Sequence, residues 1–114
     1  MKLAYISGPY RAETPHGIVE NIRNAEAVAI ELWRMGYAVI CPHKNTALLD
    51  GACDDDVWLE GDLEMLRRCD VVVVLPKWVE SEGTMDEIEE AMLNDIPRRY
   101  WPDDAGVLIR EAHD

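Results

Sequence analysis

The stretch Asp70-Val71-Val72-Val73-Val74-Leu75 is the most apolar run in the chain, and it decides the fold class. Valine favours strands because its branched Cβ packs well on a pleated surface. A run without polar alternation is typical of a strand that is buried on both faces, as in a parallel sheet covered by helices on both sides. We therefore predict that this stretch is a central strand of an α/β fold.

Strand and helix patterns alternate on either side of this run. The order predicts an open, doubly wound parallel sheet, in which ligands bind beyond the carboxyl ends of the strands near the switch point. Three loops converge there, at residues 7–14, 42–56 and 76–84. The other predicted elements are strands at 2–7, 37–41 and 96–101, the last short, polar and edge-like, and helices at 15–36, 55–69, 84–94 and 107–112.

The helix ends carry local signals. Thr14 is a good N-cap, Pro15 suits the first helical position, and Gly36 ends the helix that follows. Residues 43–55 are predicted to be a polar loop. Asp55 or Asp56 is predicted to cap the next helix, and the three aspartates at 54–56 are interpreted as a cap and solvated loop rather than a metal site.

Composition limits the possible partners. The chain has 114 residues, with 23 acidic and 11 basic side chains and a formal charge of −12. This charge repels nucleic-acid polymers, which need a basic patch, but it permits one small anion held by local donors. No apolar run approaches the roughly 20 residues that span a bilayer. We expect one domain over residues 1–114, in the cytoplasm, with no membrane and no nucleic-acid polymer as partner.

Cysteine and histidine patterns favour neither disulfides nor metals. Cys41, Cys53 and Cys69 are widely spaced and odd in number, so they are interpreted as free thiols. Cys41 and His43 offer two potential metal ligands, but nothing nearby completes a set of four at zinc spacing. We expect no metal and no cofactor.

The first loop, Ser7-Gly8-Pro9-Tyr10-Arg11, lacks the glycine pattern of a dinucleotide site. Gly8 lets a ligand approach the backbone closely, and Arg11 offers a fork of donors suited to phosphate. An ordinary turn with a solvated arginine explains the same residues equally well.

The helix at 55–69 contains a polar residue in an apolar stripe. Trp58, Met65 and Cys69 define the inward face, and Asp62 lies on it. A carboxylate there must find partners or border a cleft. The alternative is an aspartate at the edge of the stripe that turns into solvent.

Thr84 and Glu87 also have two interpretations. Thr84-x-x-Glu87 has the form of a capping box, in which the two side chains bind each other's backbone amides. The second interpretation places Glu87 in the first turn of a helix aimed at the ligand cleft, where the helix dipole favours the ionised carboxylate that a nucleophile requires.

Three stretches together resemble the nucleoside 2-deoxyribosyltransferase superfamily, which includes the 2′-deoxynucleoside 5′-phosphate N-hydrolases and small phage and bacterial relatives. The similarity covers roughly residues 3–96. It implies a flavodoxin-like (Rossmann-like) α/β sheet of four to five strands with helices on both faces, and a homo-oligomer of at least two subunits. The stretches are Tyr5-Ile6-Ser7-Gly8-Pro9, then Asp62-Leu63 ahead of Cys69-Asp70-Val71-Val72-Val73, then Ser81-x-Gly83-Thr84-x-x-Glu87-x-x-x-Ala91.

The resemblance also implies roles for individual residues. Glu87 falls on the catalytic glutamate, Asp62 on the aspartate that contacts the sugar and assists the leaving base, and Tyr5 on a tyrosine near the nucleophile. Ser81 and Arg11 match the hydrolases that recognise a 5′-phosphate. No residue of 97–114 matches the polar group that a neighbouring subunit donates in this family, and the loop at 43–56 has no clear equivalent.

The predicted function is cleavage of the N-glycosidic bond of a nucleoside or its 5′-monophosphate, by hydrolysis or base exchange. Glu87 would attack C1′ while Asp62 assists the base. The predicted binding residues are Gly8, Pro9, Arg11, Ser81, Gly83, Thr84 and Trp78. Trp78 is placed either to stack on the base or to cover the end of the sheet. The alternative functions are a nucleotide-binding or sensing module without catalysis, and an interaction domain with a vestigial cleft.

Overall fold

Four parallel strands form the central sheet, in the order β2-β1-β3-β4. The computed structural model describes all residues from 1 to 114. The predicted class, an open parallel α/β sheet, is confirmed with four strands. In chain order the elements are β1 (Leu3–Ser7), α1 (Pro15–Met35), β2 (Ala38–Ile40), α2 (Pro42–Asn45), α3 (Asp55–Arg67), β3 (Val71–Val74), a 3-10 helix (Trp78–Glu80), α4 (Glu82–Leu93), β4 (Arg98–Tyr100) and α5 (Ala105–Glu111).

Helices cover both faces of the sheet, as the valine run predicts. α1 and α5 pack on the face that carries Ala4 and Ile6, and α3 and α4 pack on the face that carries Tyr5. The four valines 71–74 are at most 5% exposed and divide between the two faces, because successive strand side chains alternate. Since burying one valine side chain contributes roughly 1.5–3 kcal/mol, β3 anchors both layers.

The first helix has the predicted ends. The Gly17 amide donates to Thr14 Oγ1 at 3.0 Å, and Gly36 ends the helix in the left-handed region with φ of 108°. A glycine is suited to that conformation because it has no Cβ to clash with the backbone. No helix of the chain combines the length and the apolar character needed to cross a membrane.

Two predicted boundaries are wrong. Residues 43–55, predicted as loop, begin inside the short helix α2 at Pro42–Asn45. A proline can start a helix as readily as it ends a strand, because the first helical amides have no partner to lose. The N-cap of α3 is Asp54 rather than Asp55 or Asp56, and its side chain makes no capping hydrogen bond.

Gly8 follows β1 at a point of very close packing. A Cβ on this residue would lie 2.6–2.8 Å from the side chain of Leu75, including its Cβ atom. Contacts this short force neighbouring atoms to move. Packing inside the protein therefore accounts for Gly8, which the sequence suggested as a point of ligand approach.

The Gly8→Ala variant is expected to lower the free energy of unfolding by about 1–3 kcal/mol, because the added methyl group overpacks the contact with Leu75. The matched control is Gly61→Ala in α3, where a Cβ meets nothing within 4 Å. That change should raise stability by about 0.5–1 kcal/mol through helix propensity. Urea denaturation measures both. Equal stability of the two variants would contradict the packing account.

Candidate functional site

Glu87 lies at the centre of a polar cluster at the carboxyl end of β1. Ser7 Oγ donates a hydrogen bond to Glu87 Oε1 at 2.6 Å, and the Tyr5 hydroxyl donates one to Glu87 Oε2. Tyr5 and Ser7 are completely buried, and Glu87 is partly buried. Each carboxyl oxygen thus accepts one hydroxyl and keeps a lone pair free. The carboxylate is held in a fixed orientation at the sheet's switch point.

The periodicity of two elements produces this cluster. Tyr5 and Ser7 are two residues apart in β1, so they point to the same face of the sheet, which α4 covers. In α4, Thr84, Ile88 and Ala91 are buried at helical spacing, and Glu87 shares their inward face. Ser7 was quoted in the sequence motif without a role. The two-residue spacing from Tyr5 was the signal that could have assigned one.

The predicted capping box is wrong. α4 begins at Glu82, and its N-cap is Ser81, whose Oγ accepts from the Thr84 amide at 3.2 Å and from Thr84 Oγ1 at 2.8 Å. Thr84 is therefore inside the helix, and Glu87 is in its second turn rather than its first. Local capping does not account for Glu87, because its carboxyl oxygens accept hydrogen bonds from Tyr5 and Ser7, which are 82 and 80 positions away in the sequence.

Burial controls the charge of the site. Burial raises the pKa of Glu87 to about 7, while the hydrogen bonds from Ser7 and Tyr5 oppose that rise and the charge of Asp62 adds to it. Burial thus opposes the ionised form of Glu87, which the helix dipole was expected to favour. Burial, with the nearby carboxylates of Glu87 and Asp62, also raises the pKa of Tyr5. Tyr5 is accordingly a hydrogen-bond donor and not a base near neutral pH.

Asp62 lies on the inward side of α3 and is partly buried, as its place in the apolar stripe predicts. Its carboxyl group has no hydrogen-bond partner within the protein, and burial raises its pKa to about 6. One turn earlier in α3, the Trp58 indole Nε1 is fully buried and has no hydrogen-bond partner. A buried polar atom without a partner is uncommon, and a ligand or water would satisfy this N–H group.

The loop after β1 is held by a histidine that the sequence did not single out as a site residue. His43 Nε2 lies 3.1 Å from the Gly8 carbonyl and 3.0 Å from the Pro9 carbonyl. Burial lowers the pKa of His43 and so favours the neutral imidazole. Its partners are 34 and 35 residues away, and no local pattern indicates such a contact.

Arg11 belongs to the same loop after β1, and its side chain forms an ion pair with Asp55. Its Nη2 contacts Asp55 Oδ2 at 2.8 Å, and the two side chains are 75% and 67% exposed. Ion pairs this exposed contribute only about 0–1 kcal/mol. A bound phosphate could therefore replace Asp55 as the ion-pair partner of Arg11.

The remaining predicted binding residues have varied surroundings. The Trp78 ring packs against Tyr100 with centroids 5.6 Å apart and partly covers the core at the sheet's end. A Cβ on Gly83 would meet nothing within 4 Å, so space is open beside the start of α4. No group of three or more His, Cys, Asp or Glu side chains is arranged to hold a metal. The three cysteines are free.

Comparison with known proteins adds a family and a fold. A family model described as "Domain of unknown function (DUF7768)" matches residues 2–101. A comparison with curated proteins finds no match. A 2-deoxyribosyltransferase from the psychrotolerant bacterium Bacillus psychrosaccharolyticus superposes with a TM-score of 0.63 and 19% identity, over 86% of this chain and 70% of that one.

A second solved structure, a conserved protein from Enterococcus faecalis V583, superposes with a TM-score of 0.72 and 20% identity. The match covers 88% of this chain and 62% of that one, so this chain spans less than two thirds of its length. At such identities the likeness is one of fold. It confirms the flavodoxin-like architecture that the sequence motifs imply.

Proposed function

This chain belongs to the DUF7768 family, and we propose that it cleaves the N-glycosidic bond of a nucleoside or nucleoside 5′-monophosphate through Glu87. The observation that carries the proposal is a partly buried carboxylate fixed by two buried hydroxyls at the switch point of a parallel sheet. The proposal treats residues 1–114 as one nucleoside 2-deoxyribosyltransferase-like domain. It also holds that the protein acts as a homo-oligomer. The shared fold with a 2-deoxyribosyltransferase supports the reaction class.

The chemistry follows from the groups present. A Glu87 oxygen attacks C1′ of the sugar, the bond from C1′ to the base nitrogen breaks, and its electron pair leaves with the base. Asp62, protonated below its pKa of about 6, supplies a proton to the departing base. Water then attacks C1′ of the glycosyl ester, returns a proton to Asp62 and releases Glu87 as a carboxylate. A second base in place of water gives base exchange.

The hydroxyls of Tyr5 and Ser7 keep Glu87 in place for attack. Both groups donate to the carboxylate, and they hold its plane fixed while leaving one lone pair on each oxygen. Orientation of this kind brings the reacting atoms together without further ordering at the moment of reaction.

A 5′-monophosphate substrate is supported by two groups near the loops. Arg11 is exposed and weakly paired. Ser81 Oγ accepts two hydrogen bonds and still has its own proton to donate. Gly83 leaves room beside it at the start of α4, where helix amides favour an anion.

The direct test is incubation of the protein with a panel of nucleosides and nucleoside 5′-monophosphates, followed by chromatography for free and exchanged bases. Release of free base supports the proposal. Thermal stabilisation by a nucleotide with no base released over hours would favour a binding module on the same fold instead.

A bell-shaped pH profile of kcat/KM is expected, with apparent pKa values near 6 and 7 and an optimum at about pH 6.5. Activity falls at low pH because Glu87 becomes protonated and cannot attack. It falls at high pH because Asp62 loses the proton that the base needs. Initial rates of base release at subsaturating substrate measure this profile. A rate that stays level from pH 5 to 9 would contradict the assigned roles.

A further inference from the structure

Side chains hold three successive carbonyl groups in the loop after β1. His43 Nε2 lies within 3.1 Å of the carbonyls of Gly8 and Pro9, and Asn21 Nδ2 donates to the carbonyl of Tyr10 at 3.0 Å. Carbonyl oxygens only accept hydrogen bonds, so Nε2 of His43 carries the proton. The imidazole is 5% exposed and its ring also packs against Tyr10. His43 and Asn21 together fix the orientation of this loop.

The planarity of the peptide bond carries this effect to the amides. In a trans peptide the N–H points opposite to the preceding C=O. The Pro9 carbonyl faces His43, so the Tyr10 amide faces the other way, and the Tyr10 carbonyl likewise directs the Arg11 amide away from Asn21. Neither amide has a hydrogen-bond partner in the protein. Two adjacent free amides can both donate to one anion.

We propose that His43 and Asn21 are positioning residues that turn the amides of Tyr10 and Arg11 toward the anionic group of the substrate. The inference rests on the proposed function and assigns to this loop the recognition of the phosphate rather than the reaction at C1′. The loop directly follows Ser7, which contacts Glu87, so a substrate that reaches both places spans a short distance.

Two histidine variants separate the role of Nε2 from that of the ring. Glutamine places its amide nitrogen where Nε2 lies, whereas asparagine places it where Nδ1 lies. For His43→Asn, kcat/KM on a 2′-deoxynucleoside 5′-monophosphate should fall about tenfold, mainly through KM, with less than about a twofold change on the same nucleoside without phosphate. His43→Gln should restore the ratio of the two substrates. Equal losses on both substrates, or no rescue by glutamine, would overturn the proposal.

A binding measurement separates this inference from the proposed function. In ¹⁵N-labelled wild-type protein, a nucleoside 5′-monophosphate should shift the amide signals of Tyr10 and Arg11, and the nucleoside alone should not. His43→Asn should lose this response and His43→Gln should keep it. If the Tyr10 and Arg11 signals shift but no base is released, the inference is supported and the proposed reaction is not. Unmoved Tyr10 and Arg11 signals at saturating monophosphate would overturn the inference.

Asn21→Leu provides a second variant in case His43→Asn does not fold. This change frees only the Tyr10 carbonyl, and Asn21 lies on α1 whereas His43 lies on α2. The expected result is the same preferential loss on the phosphorylated substrate, about threefold to tenfold. An unchanged ratio of the two substrates in a folded Asn21→Leu protein counts against the inference.

Discussion

The Glu87→Gln variant is expected to lose base release by at least about 10³-fold, because an amide cannot attack C1′ as a carboxylate does. The fold around it should persist. Glutamine can accept the hydroxyl of Tyr5 through its oxygen and donate to Ser7 Oγ through its nitrogen, so both hydrogen bonds have a replacement. Chromatography of free base measures the loss.

The same variant is expected to be more stable than the wild type at pH 8. The pKa of Glu87 is raised in the folded protein to about 7 from its ordinary value of 4.5, so folding favours the protonated form. The stability from this group is full below pH 4.5 and is lost as pH rises through 7, up to about 3 kcal/mol. Glutamine has no charge to bury. The free energy of unfolding, measured by denaturation at pH 5 and at pH 8, should therefore fall less between these two pH values in the variant than in the wild type.

Glu89→Gln is the matched control, since Glu89 lies on the exposed side of the same helix. It removes one negative charge from α4 without touching the cluster. Activity and the difference in stability between pH 5 and pH 8 should both stay at wild-type values. Loss of activity in Glu89→Gln as well, or full activity in Glu87→Gln, would remove Glu87 as the nucleophile.

The sequence predicted the fold well because the deciding signals are local. Four consecutive valines require burial on both sides, and Thr14 and Gly36 mark helix ends by their own conformational preferences. α2 escaped prediction because a helix of four residues has no apolar periodicity. A stretch this short can only be recognised from what it packs against, and its buried histidine contacts a loop 34 residues earlier.

The sequence named Tyr5 and Glu87, which the structure brings into contact, but it did not predict the burial that sets their pKa values. The motif order pointed to Glu87, but the local pattern suggested a capping box and an ionised group in the first turn. The actual cap is Ser81, three residues earlier, and burial against β1 sets the pKa of Glu87. Such long-range contacts depend on how α4 lies on the sheet. A single sequence contains no measure of that burial.

The Asp62→Asn variant is expected to lower base release about 10²–10³-fold, because asparagine cannot supply a proton to the departing base. Asp62 has no partner within the protein and burial raises its pKa to about 6, so a fraction of the molecules keeps this proton near the expected optimum of pH 6.5. Its removal breaks no hydrogen bond. The thermal midpoint should stay level or rise slightly at pH 8, which separates a catalytic loss from unfolding.

Two further measurements distinguish proton donation from simple contact with the sugar. The high-pH decline of kcat/KM should disappear in Asp62→Asn, and the low-pH decline should move from about pH 6 to the pKa of Glu87 near 7. A base that leaves readily as an anion should also recover most of the lost rate, because it needs no proton. If the variant is equally slow on good and poor leaving bases, Asp62 holds the sugar and another group protonates the base. Asp86→Asn, an exposed change on the neighbouring helix, controls for the loss of one charge near Glu87.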